Sequence, residues 1–126
     1  MRDAQITLPW ADGDYTFRLG WGELELLQEA CNAGPYVILN RLMSEQWFMG
    51  DIAHTIRLGL IGGGMKPADA LKKVRDYVQN RPPAENVPYA QGILSAGLAG
   101  APEEGEVGES EAASQEPSLT TFLTES

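Results

Sequence analysis

Glycine and proline cut this chain into short pieces. Gly34-Pro35, then Gly62-Gly63-Gly64 with Pro67, then Arg81-Pro82-Pro83 each interrupt apolar patterns that repeat every three or four residues. Glycine supplies the left-handed backbone that closes helices, and proline suits a first helical turn but breaks an interior. The punctuation therefore predicts a small bundle of about four to five short helices.

The pieces can be read one by one. Leu24, Leu27 and Cys31 fall at i, i+3 and i+7, with Glu23, Glu25 and Glu29 around them, which predicts an amphipathic helix from near Trp21 or Gly22. A second, two-turn helix starts at Pro35 and runs through Val37, Ile38, Leu39, Leu42 and Met43. Ser44 to Gly50 has no clear period and reads as a connector anchored by Trp47, Phe48 and Met49. Asp51 then offers an N-cap to a helix whose Ile52, Ile56 and Leu60 form an i, i+4, i+8 core stripe ending at the glycine triplet. From Pro67, the residues Ala70, Leu71, Val74, Tyr77 and Val78 predict a fourth helix to Arg81, with Lys72, Lys73 and Arg75 on its solvated face. A fifth runs from about Pro88 through Ala90, Ile93, Leu94 and Leu98 to Gly100, rich in small residues that permit close packing.

Before the helices, Gln5 to Trp10 and Tyr15 to Leu19 alternate apolar and polar residues on either side of Asp12-Gly13, a hairpin signal. Pro9 cannot donate to a ladder, so its strand is expected at an edge. The fold class expected is α+β, mostly α: an N-terminal β-hairpin packed on a helical domain spanning residues 1–100.

Charge separates a second region, residues 101–126. Of the 18 acids, seven lie there (Glu103, Glu104, Glu106, Glu109, Glu111, Glu116 and Glu125), and no Lys or Arg does. Glu, Ser, Gly, Ala and Pro cannot bury enough apolar surface to offset ordering entropy, so this acidic tail is expected to be disordered. Near its end Pro117-Ser118-Leu119-Thr120-Thr121-Phe122-Leu123 regains apolar residues, and Leu119, Phe122 and Leu123 are candidate docking residues. With a net charge of −9 and no dense basic run, the chain lacks the footprint of a nucleic-acid binder. No stretch reaches the ~20 apolar residues of a bilayer span, and no apolar leader opens the chain. A soluble, cytoplasmic protein is expected.

Catalytic constellations are weak. One cysteine, Cys31, excludes an internal disulfide and a cysteine-based zinc site; continuing an apolar stripe, it reads as a small buried hydrophobe. Gly62-Gly63-Gly64-Met65-Lys66 lacks the spacing of a phosphate loop, and Pro67 follows the Lys. His54 is the sole histidine and reads as a surface or capping residue on the polar side of its helix. Glu25 and Glu29 at i, i+4 mark a solvated face rather than a paired-acid site. The expectation is a protein that is not an enzyme and needs neither cofactor nor metal.

Three stretches together carry a resemblance. Asp51 to Gly64 contains Ile56-Arg57-Leu58-Gly59-Leu60-Ile61-Gly62-Gly63-Gly64; Pro67-Ala68-Asp69-Ala70 follows, then Arg81-Pro82-Pro83-Ala84-Glu85-Asn86-Val87-Pro88-Tyr89-Ala90-Gln91-Gly92-Ile93-Leu94. Upstream, Tyr15 to Leu19 leads into Glu23-Leu24-Glu25-Leu26-Leu27. This pattern, over roughly residues 6 to 100, resembles the tail-assembly protein family of gene transfer agents and related long-tailed phages and prophages, labelled as tail tube or tail assembly chaperone proteins.

The resemblance implies an assembly role without catalytic residues. A tail assembly chaperone covers the apolar helices of the tape measure protein until tube subunits polymerise around it, which suits a small helical domain. On this reading the partners are the tape measure protein and tail tube subunits, with a possible homo-oligomer, and Trp47, Phe48 and Met49 are candidate contacts. The bland reading of those three is burial in the domain core. A structural component retained in the tail is the alternative, although tube subunits resemble β-sandwiches or barrels and would need many strands. A small helical adaptor is the third reading.

Overall fold

Residues Gln5–Trp10 and Gly13–Arg18 form strands β1 and β2 of a two-stranded antiparallel sheet in the computed structural model, which describes residues 3–101. The expected disordered tail, with Leu119, Phe122 and Leu123, lies outside the described residues. Ile6, Leu8 and Trp10 alternate toward the helices, facing Phe17, Tyr15 and Gly13 across the ladder. The turn differs from the Asp12-Gly13 expectation. Its two loop residues are Ala11 and Asp12, Gly13 pairs with Trp10, and the left-handed φ of 56° falls on Ala11. Both registers keep the same side chains inward, but this one puts a glycine across from Trp10. The indole can then meet Tyr15, Phe17 and Tyr77 edge-on, with ring centres 5.7 to 6.0 Å apart.

Five α-helices follow: α1 (Trp21–Cys31), α2 (Pro35–Met43), α3 (Met49–Gly62), α4 (Pro67–Val74) and α5 (Val87–Ala99). Pro35 and Pro67 each occupy a first turn, as the punctuation predicts. The fourth helix is not a single α-helix to Arg81, however. It widens into a π-helical segment at Arg75–Gln79, and a 3-10 turn at Pro83–Asn86 precedes α5. Local chemistry accounts for where the segment ends. Arg81 N–H donates to Val78 O, and Pro82 has no N–H, so the Tyr77 carbonyl finds its donor in Asn86 Nδ2 at 2.9 Å. The other end of that amide, Asn86 Oδ1, accepts from Trp10 Nε1 at 2.8 Å. One buried asparagine thus ties the hairpin, the π-segment and the start of α5 together.

α3 is the central element, touching β2, α1, α4 and α5. Ile52, Ile56 and Leu60 are buried as their spacing predicts, together with Phe17, Leu19, Leu27, Ile38, Leu42, Ile93 and Leu94. α1 runs antiparallel to it. Glu23 at the start of α1 sits by Gly62, while Cys31 Sγ at the other end donates to the Gly50 carbonyl at 3.6 Å. Two helix assignments need correction. Leu71, expected in the core, is 49% exposed, because Ala70, Val74 and Val78 already fill the inward stripe of the fourth segment. In the glycine triplet only Gly64 has positive φ. Gly62 and Gly63 serve a different need: a Cβ at Gly62 would stand 1.8 Å from the Arg18 carbonyl oxygen, and one at Gly63 2.0 Å from that of Thr16. The end of α3 is pressed against the backbone of β2, which only glycine permits.

Candidate partner-binding surface

The link between α2 and α3 departs from the connector reading. Asp51 is not the N-cap. α3 begins at Met49, so Asp51 lies in its first turn, and its Oδ2 reaches back to accept the Phe48 N–H at 2.8 Å. That carboxylate satisfies an amide that would otherwise lack a helical partner and suits the positive end of the helix dipole. It also accepts two hydrogen bonds from Arg41, Nε to Oδ2 at 2.9 Å and Nη2 to Oδ1 at 2.7 Å. The pair is largely dry, with Asp51's side chain 1% exposed and Arg41's 18%. Planar two-point pairing of this kind fixes geometry as well as charge.

The lock orients what surrounds it. Arg41's guanidinium lies 4.3 Å from the centre of the Phe48 ring, so the cation holds the inner side of the aromatic while its outer side faces solvent. Phe48 is 62% exposed and Met49 64%. Neither is core, which overturns their expected anchoring role. Trp47 does anchor: it is half-buried and packs on the core, beside a shallow depression lined by Met43, Ala84, Val87, Pro88 and Gln91. Gln91 Nε2 donates to the Leu42 carbonyl at 3.0 Å, fixing α5 against the end of α2. Val37, one turn before Arg41 and exposed, extends the apolar surface along α2. The three adjacent candidates therefore divide into one internal anchor and two outward apolar side chains.

The Arg41–Asp51 bridge escaped the sequence reading, which singled out Asp51 only as an N-cap and did not single out Arg41. The available signal was an acid three residues after the N-cap position, disguised because that position holds Phe48 rather than Ser or Thr. The other polar candidates take ordinary places. His54 Nδ1 lies 3.1 Å from Arg57 Nη2, and partial burial followed by the nearby Arg57 charge lowers its pKa, which favours neutral imidazole. The turn after α3 borders a second shallow depression, where Asp14 and Asp69 stand with Lys66 and oppose an anion there. Among the described residues no three His, Cys, Asp or Glu side chains are grouped to hold a metal, and no helix is long and apolar enough to cross a membrane.

Comparison with known proteins gives one match. The family described as phage tail tube protein, GTA-gp10, the gene transfer agent family, matches residues 3–100. That range takes in the hairpin, all five helices, the glycine run and Asn86. No curated protein and no solved structure matches the chain.

Proposed function

Because the chain belongs to the gene transfer agent family of phage tail tube proteins, its role is tail-related, and within that role we propose a non-catalytic assembly chaperone for the tape measure protein. The observation that supports this is the outward Phe48–Met49 pair on a backbone fixed by the buried Arg41–Asp51 bridge. A rigid apolar projection can cover an apolar face of a long helix without losing its own ordering entropy on binding. The proposed setting is the host cytoplasm during particle assembly.

The second reading is a tube or tube-associated component retained in the particle, and the family's description favours it. Against it stands the small sheet: two strands, among the described residues, give little material for a wall built from β-sandwich or barrel subunits. Co-expression of the full chain with the neighbouring tape measure, alongside mass spectrometry of purified particles, separates the two. The chaperone reading expects the tape measure to shift from pellet to supernatant, the chain to be missing from particles, and Phe48→Asp with Met49→Asp to lose the shift while keeping the helical circular dichroism. An unchanged pellet, or the chain at subunit stoichiometry in particles, overturns it.

A further inference from the structure

The bases of this chain are concentrated on one segment. Residues 66–81, comprising α4 and the π-segment, hold Lys66, Lys72, Lys73, Arg75 and Arg81 against Asp69 and Asp76, whereas the sequence after residue 101 contains seven acids and no Lys or Arg. Lys73 is already used. Its Nζ donates to both Asp12 carboxylate oxygens, at 3.0 and 2.9 Å, and lies 5.3 Å from the centres of the Tyr15 and Tyr77 rings, clipping the hairpin turn to α4. Lys72 and Arg75 instead point outward, one turn apart, with the exposed Leu71 beside them. Lys72 has Asp76 at 3.7 Å, a solvent-exposed pair that contributes little. The result is a cationic helix face with an apolar residue at its edge.

We propose that the chain's own C-terminal segment, Glu116 to Glu125, docks on this face, its acids against Lys72 and Arg75 and its Leu119 and Phe122 against Leu71. The charge complementarity selects the face. Elsewhere in residues 3–101 acids predominate, as along α1 with Glu23, Glu25 and Glu29, and would repel the tail. Reach does not restrict it. Ala101 is held at the rim of β1, its N–H donating to the Asp3 carbonyl at 2.6 Å. The 18 residues from there to Leu119 can span up to ~60 Å, against about 26 Å for twice the radius of gyration of a 100-residue domain. Tethering also raises the effective concentration of the segment to roughly millimolar, enough for weak ionic contacts. The docked tail would screen a basic surface able to attract host polyanions, whichever tail-related role the protein has.

Spin labelling of the full chain tests this. A label on Ser118→Cys reports which amides lie near the segment, and Cys31, half-buried with a thiol that resists ionisation, leaves residue 118 as the reactive site. The expected result is at least about two-fold broadening of amides 70–76 at low salt, relieved at 0.5 M salt and by Lys72→Glu with Arg75→Glu, with α1 unaffected. Uniform or absent broadening overturns the proposal, as does broadening centred on Phe48 and Met49. Mixing spin-labelled chains with isotope-labelled, spin-free chains distinguishes the remaining source: broadening in the mixture would place the segment on a second copy and overturn the intramolecular contact.

Discussion

At residue scale burial beside the α2–α3 bridge sets the chemistry of Cys31. The Cys31 thiol is pushed up to about 12, first by burial and then by the negative charge of Asp51, so the site favours S–H over thiolate. The sign of the linkage follows. As pH rises past about 9, the unfolded chain releases this proton while the folded chain retains it, so unfolding binds fewer protons than folding and stability falls with pH up to about 12. Two outcomes are expected. Iodoacetamide at pH 8 should modify native Cys31 far more slowly than the same residue in denaturant. The midpoint of urea unfolding should drop between pH 9 and 10.5, and Cys31→Ser should flatten that drop. Native and denatured labelling rates of similar size would show that the thiol is not held in this way.

At element scale the docking of α3 on β2 is the step that the glycine run makes possible. The sequence pattern revealed a helix end there, since three glycines cannot extend a stable helix, but it could not reveal that two of them keep ordinary backbone angles. Closeness to another strand is a tertiary fact with no local period. The same limit explains the rest of the misreadings. Ile52, Ile56 and Leu60 were legible because a buried stripe repeats; Leu71 follows the same spacing and lies outside because the stripe beside it is already filled. For Phe48 and Met49 the sequence leaves contact and core readings both open, because the cation and carboxylate that hold their backbone come from Arg41, on the preceding helix, and Asp51. Glycine substitutions separate the two roles. Gly62→Ala and Gly63→Ala must displace backbone and should each cost about 3 kcal/mol or more, within the range of severe core overpacking. Gly92→Ala, in the interior of α5 with nothing within 4 Å of its added carbon, should instead stabilise by roughly 0.5–1 kcal/mol. Chemical denaturation of the three variants checks the ranking, and a mild effect at both Gly62 and Gly63 would mean that the α3–β2 contact is looser than drawn.

For the molecule as a whole, the question is whether a hairpin of two strands and a bundle of short helices behave as one cooperative unit. A two-stranded hairpin is marginal by itself, and helices of eight to fourteen residues are near the length where isolated helices fail in water. Neither part has a separate core to retain: Trp10 and Phe17 from the hairpin belong to the same cluster as Ile56 of α3 and Ile93 of α5. The polar link runs the same way, from Trp10 through Asn86 to the Tyr77 carbonyl. Loss of one part therefore exposes the apolar face of the other, and a single transition is expected. Trp21, 82% exposed, and the half-buried Trp47 can be replaced by Phe so that Trp10 alone reports on the hairpin. In that background, Trp10 emission and helical circular dichroism should unfold at coincident urea concentrations. Asn86→Ala leaves the indole N–H and the Tyr77 carbonyl without their partner inside the fold, at a cost of about 2–4 kcal/mol. Both probes should move together by that amount. If Trp10 emission shifted early while the helical signal stayed in place, the hairpin would be a separable appendage, and the asparagine would bind it to the helices without making it part of their core.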